Sequence, residues 1–361
     1  MLKKYYGPST ERGNLKEIIV GDVENFNLKN IEETFKVLFG ENLRHSTFEN
    51  FKDYRVDSQK IKERQEDLDN LSELLKKLGV KVYRPERLER VKAFRGPYFK
   101  GVMSSAANPR DLIFVYKDKI IESTPGGVNR YFEKDLYYKI LQEKFEEGAV
   151  WLSAPSPSFR KGRFDFKEWD EKRDFKNFDR LKYDIVFEAA HMLKLGDDIL
   201  FNISSYMHEL GADWMQKVLG SDTRIHKVYY LDDNHIDGKL SALSRGIFLA
   251  NNELMQKDIK NYLPKKFHDW KVIYTGEESG KFNHNSYLDT DMNYIQLCSM
   301  RGANTNVLSI SENRVLVMDY AEKTIKKLEE NGFDVIPVRM RHCELFGGGL
   351  HCATLDLKRE D

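Results

Sequence analysis

The feature that most constrains the fold is a recurring unit in which an amphipathic helix ends at a glycine and a short strand follows. In the clearest copy, leucines form one stripe of a helix predicted over 58–78, Gly79 is a typical stop, and a strand is predicted over 80–83. Three further copies have helices predicted over 132–147, 205–219 and 320–331, stops at Gly148, Gly220 and Gly332, and strands over 149–152, 225–230 and 334–338. A weaker fifth copy, without the glycine, runs from 253 through 262 to a strand over 271–274.

Predicted strands before these helices complete the unit. A first strand is predicted over 16–20, and further strands over 112–116, 120–121, 199–203 and 247–250 and in the hairpin 307–318. Two strands, a helix and a strand, used about five times, are typical of a radial or solenoid architecture. The alternative is an open doubly wound sheet, which also alternates helix and strand. Against that alternative, neither the glycines at 126–127 nor those at 347–349 lead into a predicted helix, so no phosphate-binding motif is present.

Composition narrows the function classes. The 361 residues include 58 basic and 58 acidic side chains, which argues against a general nucleic-acid binder, and the length allows one large domain or two smaller ones. Cys298, Cys343 and Cys352 form no CxxC pair, so a zinc ribbon is excluded and a reducing compartment is indicated. Positions 1–8 hold no apolar signal core and no apolar run could span a bilayer, so we predict a cytoplasmic protein without a membrane partner.

The segment 155–184 does not follow the repeating pattern. It is charged and aromatic and shows little periodicity. A long insert of this kind in a compact domain is usually a lid or binding loop, or else disordered. A solvated surface loop is an equally good interpretation, and the sequence leaves these alternatives open.

A glycine run leads into a candidate nucleophile. Gly347, Gly348 and Gly349 tolerate backbone angles that permit a tight turn and close approach to a ligand. Cys352 follows at the point where a loop enters an alternating strand predicted over 353–358. That position suits a nucleophile, but a free cysteine is often simply a small buried hydrophobic residue. From spacing alone, the two interpretations are equally good.

A nucleophilic cysteine needs a partner that promotes the thiolate and a proton donor for the leaving group. The best candidate is His235, which follows a predicted strand. Asp237 would face the same side of an extended backbone and could orient the imidazole. His351 adjoins the cysteine, but neighbours on a strand face opposite ways.

Two carboxylates are further candidates. Asp111 opens a predicted strand, and Glu188 lies just past an apolar run. Alone, each is interpreted as a cap or a loop acid, but a cation-binding site would give both a function. Five other histidines lack a comparable setting and are interpreted as structural or exposed: His191, His208, His226, His268 and His284.

Several motifs together resemble one enzyme family. The stretch 347–356, Gly-Gly-Gly-Leu-His-Cys-Ala-Thr-Leu-Asp, resembles the end of the amidinotransferases, which include arginine:glycine amidinotransferase and inosamine-phosphate amidinotransferase. The similarity continues upstream in the family's order and spacing. It includes Pro-Arg-Asp-Leu-Ile at 109–113, Phe-Glu-Ala-Ala at 187–190 with Leu-Lys-Leu-Gly at 193–196, His-Ile-Asp at 235–237 and Asn-Val-Leu at 306–308.

The resemblance implies a fold and a set of roles. The fold is a five-bladed α/β propeller of pseudo-symmetric ββαβ modules, in a single domain over 1–361. Cys352 is implied to be the nucleophile and His235 the acid/base, with Asp237 supporting the histidine. Asp111 and Glu188 are implied to clamp a guanidinium group. The implied substrate-binding positions are Asn304, Gly126, Gly127, Gly348 and Gly349.

The implied roles make a coherent reaction. Carboxylates bind a planar guanidinium in bidentate fashion, so a thiolate can attack its central carbon perpendicular to the plane. An amine leaves, an amidino group stays on the cysteine, and a second amine then takes it. This ping-pong scheme needs no metal or organic cofactor. The implied partners are arginine and an amine, and the family often forms homodimers.

The chain departs from the family where the substrates are recognised. His191 stands where the glycine-forming enzymes have a second aspartate, and no arginine lies near Leu254, where they bind the donor carboxylate. The residues at 125–127 and 304–305 also differ. We therefore predict arginine as the donor and an amine other than glycine as the acceptor, in specialised metabolism. The alternatives are a guanidino hydrolase of the arginine or agmatine deiminase type and a propeller-fold binding protein with vestigial residues.

Overall fold

The structure is a computed structural model, and it describes residues 6–27, 34, 56–160, 162–164, 173–231, 235–276 and 303–360. Cys298 and part of the segment 155–184 lie outside these residues. The α-helices are α1 (Ser58–Lys77), α2 (Pro109–Leu112), α3 (Tyr138–Glu146), α4 (Tyr206–Leu219) and α5 (Glu322–Glu330). Short 3-10 helices lie at Val128–Arg130, Glu133–Tyr137, Ala189–His191, Ile236–Gly238, Asn252–Met255, Ile259–Asn261, Lys265–Phe267 and Ala303–Thr305. Among the described helices, none has the length and apolar character needed to cross a membrane.

The strands are short and spread over the whole described chain. In the first half they are β1 (Asn14–Val20), β2 (Lys81–Tyr83), β3 (Ala93–Arg95), β4 (Lys100–Val102), β5 (Ile113–Tyr116), β6 (Lys119–Glu122) and β7 (Val150–Ser153). In the second half they are β8 (Met192–Lys194), β9 (Asp198–Ile203), β10 (Arg224–Tyr229), β11 (Leu240–Ser244), β12 (Ile247–Ala250), β13 (Lys271–Tyr274), β14 (Leu308–Ser311), β15 (Arg314–Met318), β16 (Asp334–Val338) and β17 (Thr354–Glu360).

Five three-stranded sheets repeat one pattern, an antiparallel pair followed by a parallel strand. Four of them are continuous in sequence, with the orders β5-β6-β7, β10-β9-β8, β11-β12-β13 and β14-β15-β16. In the fifth, β17 pairs antiparallel with β1, and β1 runs parallel to β2. β3 and β4 form a separate hairpin. The predicted unit of two strands, a helix and a strand is therefore confirmed in four of the five sheets among the described residues, and the fold is a mixed α/β fold.

Buried apolar clusters join each sheet to the next. Phe114 of β5 packs in one cluster with Phe201 of β9, and Leu200 of β9 packs in another with Phe248 of β12. Further clusters join β12 to β15, β15 to β1, and β1 to β5. The clusters thus link the five sheets in a closed cycle. Each fully buried large apolar side chain stabilises this arrangement by about 1.5–3 kcal/mol.

The first helix forms as its sequence pattern predicts. The Asp57 side chain caps α1 by accepting a hydrogen bond from the Gln59 amide. The leucines of the predicted stripe that lie inside α1 are fully buried. Gly79 ends the helix at a φ of +82°, a left-handed conformation that glycine adopts without strain. The other predicted stops also have positive φ: Gly148, Gly220 and Gly332.

The fifth copy of the unit differs from its prediction. Where one helix was expected from 253 to 262, the chain forms successive 3-10 turns before β13. Asn251 and Asp258 each cap a new turn with a side-chain oxygen, and Pro264 precedes the third turn. Local caps of this kind compete with continuous helix, which explains the difference.

Other differences concern short elements. The helix predicted over 132–147 begins as the 3-10 helix Glu133–Tyr137 before α3. The strands β3, β4, β8 and β11 carried no clear sequence signal, because three of them have three residues and β11 is buried throughout and does not alternate. Gly127 leads into the three-residue 3-10 helix Val128–Arg130, where no helix was predicted.

The described part of the segment 155–184 has neither helix nor strand, but it is firmly packed. Phe159, Phe164 and Tyr183 are buried in an aromatic cluster with Met207 of α4. The buried Asp184 accepts hydrogen bonds from both the amide and the hydroxyl of Ser158 and from Arg163. The described residues therefore form a surface loop, with many exposed side chains, that is anchored by a few buried ones. A role as a lid stays a prediction.

Candidate active site

The candidate nucleophile, Cys352, lies in a buried turn just before β17, as predicted. Asn306 holds it from two sides. Its Nδ2 donates to the sulfur at 3.0 Å, and its Oδ1 accepts from the Cys352 amide at 3.0 Å. The thiol donates to Asp237 Oδ2 at 3.2 Å. Burial raises the pKa of Cys352 well above its ordinary value, and the charges of Asp237 and Asp111 raise it further, so the thiol is protonated in the substrate-free protein.

The glycine run before the cysteine serves close packing within the chain. A Cβ on Gly348 would lie 2.4 Å from the Cys352 Cβ and 2.8 Å from Asn108 Oδ1. A Cβ on Gly349 would lie 2.9 Å from Met318 Sδ. The space beside these glycines is thus filled by side chains of the protein itself. Their predicted contact with a substrate stays a prediction, but the structure gives them a second reason to be glycine.

His235 lies between the two predicted clamp carboxylates. Its Nε2 is 2.7 Å from Glu188 Oε2, and its Nδ1 is 3.6 Å from Asp111 Oδ1. Burial would lower the pKa of His235, but the negative charges of Asp111 and Glu188 outweigh burial and raise the pKa to about 9. The ring is therefore an imidazolium at neutral pH and can act as a general acid.

The predicted orienting contact between Asp237 and His235 is wrong. The backbone after His235 is a 3-10 helix rather than an extended strand, so the two side chains do not form a hydrogen bond. Asp237 Oδ2 instead lies 2.7 Å from His351 Nδ1. The carboxylate still acts on His235 through its charge, which contributes to the raised pKa of that ring.

Asp111 and Glu188 occupy different settings. Asp111 lies in α2 and does not open a strand, because Pro109 favours the first turn of a helix. Its Oδ2 accepts from Arg130 Nη1 at 2.7 Å, whereas its buried Oδ1 has no hydrogen-bond partner among the described residues. Burial raises the pKa of Asp111 to about 6, against the opposing charges of His235 and Arg130. Burial would also raise the pKa of Glu188, but Arg130 and His235 outweigh it and lower the pKa to about 2.

Arg130 and Glu133 were missed by the sequence analysis. Arg130 donates to both Glu133 oxygens, from Nε at 2.7 Å and from Nη2 at 2.9 Å. Burial raises the pKa of Glu133 to about 7, although Arg130 opposes the shift. The available signal was an arginine and a glutamate three residues apart directly after the glycines at 126–127. That spacing is common on surfaces, so it carried little information.

His351 and Glu11 were also missed. The His351 ring lies between Asp237 Oδ2 and Glu11 Oε2, at 2.7 Å and 3.1 Å. Burial lowers the pKa of His351, but Glu11 and Asp237 outweigh it and the net shift is upward. A hydrogen bond from His351 offsets the effect of burial on Asp237 and lowers its pKa to about 2. The strand rule failed here because His351 lies in a turn, where neighbouring side chains can reach the same cluster.

The remaining predicted positions lie around this cluster. The Gly126 amide donates to Glu188 Oε1 at 3.1 Å, so Gly126 holds a clamp carboxylate. Asn304 is half-buried in the 3-10 helix Ala303–Thr305, and its Oδ1 has no hydrogen-bond partner among the described residues. Substrate contacts of Asn304, Gly126 and Gly127 stay predictions.

Residues far apart in sequence thus converge. One polar atom each of Asp111, His235 and Cys352 lies within 4.8 Å of the others. This trio could be considered for a metal, but Asp111 is already paired with Arg130 and His235 with Glu188. The donor set suits proton transfer and binding of an organic cation better.

Known proteins resemble the chain over nearly its whole length. The L-arginine:L-lysine amidinotransferase of Pseudomonas savastanoi pv. phaseolicola is 31% identical over 97% of this chain and 93% of its own. The solved inosamine-phosphate amidinotransferase of Streptomyces griseus superposes with a TM-score of 0.84 at 25% identity, over 99% of this chain and 98% of its own. An amidinotransferase of the saxitoxin pathway from Microseira wollei superposes with a TM-score of 0.81 at 29% identity, over 99% and 98%. No protein-family model matches the chain.

These similarities first define the class: the protein is a transferase whose substrates are small molecules. More narrowly, the chain belongs to the amidinotransferase family. A dimethylarginine dimethylaminohydrolase superposes with a TM-score of 0.56 at 16% identity, which shows a shared fold alone. Family membership contradicts the alternative of a binding protein with vestigial residues.

Proposed function

We propose that this protein transfers an amidino group from L-arginine to a primary amine through a covalent amidino intermediate on Cys352. The observation that carries the proposal is the convergence of Asp111, His235 and Cys352, with polar atoms within 4.8 Å of one another. A thiol, an imidazolium and a carboxylate with an unpaired oxygen are the groups that this chemistry requires. They supply a nucleophile, an acid and a clamp for a cation.

In the first half-reaction, the guanidinium of the donor binds beside Asp111 and Glu188. The positive charge of the guanidinium stabilises the thiolate, so the thiol of Cys352 loses its proton to solvent. The thiolate then attacks the central carbon. A carbon–sulfur bond forms, and His235 gives its proton to the departing nitrogen as the carbon–nitrogen bond breaks. Ornithine leaves, and the amidino group remains on the sulfur.

In the second half-reaction, the acceptor amine takes the place of the departed amine. The neutral imidazole of His235 accepts a proton from the amine as its nitrogen attacks the amidino carbon. The carbon–sulfur bond breaks, the thiolate of Cys352 is regenerated and a new guanidino compound leaves. The histidine alternates between acid and base, as microscopic reversibility requires.

The acceptor is proposed from the relatives and from the departures in sequence. Lysine is the first candidate, because the similar Pseudomonas enzyme is named for arginine and lysine. Glycine is disfavoured, because His191 stands in place of a second aspartate of the glycine-forming enzymes. We expect an acceptor of specialised metabolism, no metal or organic cofactor, a cytoplasmic location and a homodimer.

The finer architecture is part of the proposal. Five sheets with one strand pattern, joined in a closed cycle by apolar clusters, are what a five-bladed α/β propeller of ββαβ modules requires. One module, β17-β1-β2, would then join both ends of the described chain. The candidate site draws on loops of several modules, as is common in radial folds.

The test is a product assay with labelled arginine, with and without lysine and a panel of other primary amines. Ornithine release that depends on the amine supports transfer. Citrulline formed without any amine would replace the proposal with a guanidino hydrolase. Intact-mass measurement after arginine alone should show one added amidino group. Cys352→Ala should abolish both signals, whereas Cys343→Ala, the matched control at a buried thiol outside the trio, should retain them.

A further inference from the structure

A guanidinium of the protein itself contacts both carboxylates of the proposed clamp. Arg130 Nη1 donates to Asp111 Oδ2 at 2.7 Å and lies 3.5 Å from Glu188 Oε1. The Arg130 side chain is 14% exposed, so little water screens these contacts. A cation of the chain thus holds one oxygen of each carboxylate before any substrate arrives.

The guanidinium is fixed from its other edge. Glu133 accepts from its Nε and Nη2 in a two-point contact, and the Asn108 carbonyl accepts from Nη2 at 3.2 Å. All three guanidinium nitrogens of Arg130 therefore have hydrogen-bond partners. Glu133 is almost fully buried, and Arg130 donates to both of its carboxylate oxygens. A planar fork with five donors makes such contacts in one orientation only.

The contact determines which oxygens remain for another ligand. Asp111 Oδ2 accepts from Arg130, whereas Oδ1 lies 3.6 Å from His235 Nδ1 and has no hydrogen-bond partner among the described residues. Glu188 Oε1 receives the Gly126 amide, while Oε2 contacts the His235 ring. A buried carboxylate oxygen without a partner is costly, and a cationic ligand would satisfy it. The unpaired oxygen therefore marks where a donor nitrogen of a substrate would bind.

We propose that Arg130 is a positioning residue: anchored by Glu133, it holds Asp111 by Oδ2 so that Oδ1 is directed to the His235 side of the cluster, and it steadies Glu188 against His235. This inference rests on the proposed transfer of an amidino group. Arg130 acts through the clamp carboxylates rather than on the reacting atoms, and hydrogen bonds within the chain already engage all three of its guanidinium nitrogens. Its effect is to fix the angle at which the clamp receives the substrate.

The charge of Arg130 has a second, separable effect. Asp111 is faced by His235 and Arg130, which lower its pKa, and by Glu188 and Asp237, which raise it. The Cys352 thiol also lies beside it. Loss of the arginine charge would raise the pKa of Asp111 further, so the carboxylate would be protonated at a higher pH and would clamp a cation less well. A substitution that keeps the positive charge but removes the planar guanidinium would change the geometry of the clamp without changing its charge.

Two substitutions separate these effects in an assay of ornithine release across pH. Arg130→Lys keeps the charge and loses the two-point contact, so kcat/KM for arginine should fall roughly 10- to 100-fold with the acidic limb unmoved. Arg130→Gln should lower kcat/KM and also move the acidic limb to higher pH. Arg314→Lys, at the exposed pair with Asp334 outside the cluster, should behave as wild type.

Thermal unfolding of each variant guards against a purely structural effect. Wild-type kcat/KM in Arg130→Lys would overturn the proposal. The proposal would also be overturned if kcat/KM of Arg130→Gln fell only in proportion to the fraction of folded protein and the acidic limb of its pH profile stayed in place. If Arg130→Gln does not fold, the double variant Arg130→Gln and Glu133→Gln removes both charges, and Arg130→Lys remains decisive.

Calorimetric titration with arginine separates this inference from the proposed function. If the wild type binds arginine but forms neither ornithine nor adduct, the proposed transfer fails. Weaker binding of arginine by Arg130→Lys would then still support positioning, and equal binding would overturn it. A wild-type protein that binds no arginine would overturn both.

Discussion

Two polar clusters flank Cys352, and they differ in what they leave unsatisfied. On the clamp side, formed by Asp111, Glu188, His235 and Arg130, one carboxylate oxygen has no hydrogen-bond partner in the described part of the chain, and the histidine is 14% exposed. On the core side, formed by Asp237, His351 and Glu11, the side chains are at most 6% exposed and the imidazole is bonded on both nitrogens.

The two sides also differ in the pKa values of their groups. On the clamp side the pKa of Asp111 is raised to about 6 and that of His235 to about 9, whereas that of Glu188 is lowered to about 2. On the core side the pKa of Asp237 is lowered to about 2 and that of His351 is raised. We therefore expect Asp111 and His235 to be the groups whose protonation decides how activity depends on pH.

The largest difference between the two clusters is expected when His235 is replaced. His235→Gln removes the proton donor of the clamp side, so kcat should fall about 10²- to 10⁴-fold while the fold is kept. His226→Gln, which removes a partly buried histidine paired with Asp198 outside the cluster, is the control and should leave kcat unchanged. Steady-state ornithine release measures both. Retained activity in His235→Gln would place the acid elsewhere.

The glycine that lies against the nucleophile gives the next largest effect. In Gly348→Ala the new Cβ would overlap Cys352 and Asn108, so the free energy of unfolding should fall by about 1–3 kcal/mol and kcat by about tenfold or more. Gly196→Ala is the control, because its φ of +84° strains alanine in open space away from the site. It should lose stability and keep kcat. Equal kcat in the two variants would mean that Cys352 tolerates the displacement.

The pH profile sharpens the distinction between the clusters. Asp111 must be ionised to bind a cation and His235 must be protonated to donate, so kcat/KM should fall below about pH 6 and above about pH 9. Glu188 raises the pKa of His235, so Glu188→Gln should move the basic limb to lower pH. A basic limb that stays in place would remove Glu188 from the control of that proton.

The smallest effect on catalysis is expected on the core side. Glu11→Gln weakens one contact of His351, so kcat should change only severalfold, whereas the free energy of unfolding should fall by about 1–3 kcal/mol. The folded-state pKa of Glu11 is lowered, so its stabilisation is present above its unfolded pKa and is lost as pH falls. The two proteins should therefore converge in stability toward acidic pH.

Urea unfolding at several pH values tests this prediction, with Glu86→Gln at the exposed pair with Lys139 as the control. The control should lose less than about 1 kcal/mol, as is usual for surface ion pairs. Equal losses at Glu11 and Glu86 would show that the buried cluster stabilises no more than a surface contact.

Much of the fold could be predicted because its signals are local. The leucine stripe of α1, its cap at Asp57 and its stop at Gly79 lie within one stretch of chain, and the structure confirms them. The placement of Cys352 before a strand was also predictable from adjacent residues. The short strands β8 and β11 were not, since their pairing is decided by neighbouring strands rather than by their own pattern.

The residues of the candidate site also fall into those that local motifs predicted and those that they did not. Motifs in family order identified Asp111, Glu188, His235 and Cys352 as candidates. The partners Arg130 and Glu11 were missed because a charged residue gains its role from tertiary neighbours, which spacing does not show. The contact predicted for Asp237 was wrong because a single 3-10 turn redirects the side chain.

The sheet β17-β1-β2 has a consequence for the timing of activity during synthesis. Cys352 is held just before β17, and Thr354 of β17 pairs with Val20 of β1. On the ribosome, the clamp residues emerge long before this pairing can form, since domains acquire structure as their segments become available. A nascent chain lacking β17 cannot hold Cys352 in this turn, so we expect the candidate site to be complete only after β17 has paired with β1.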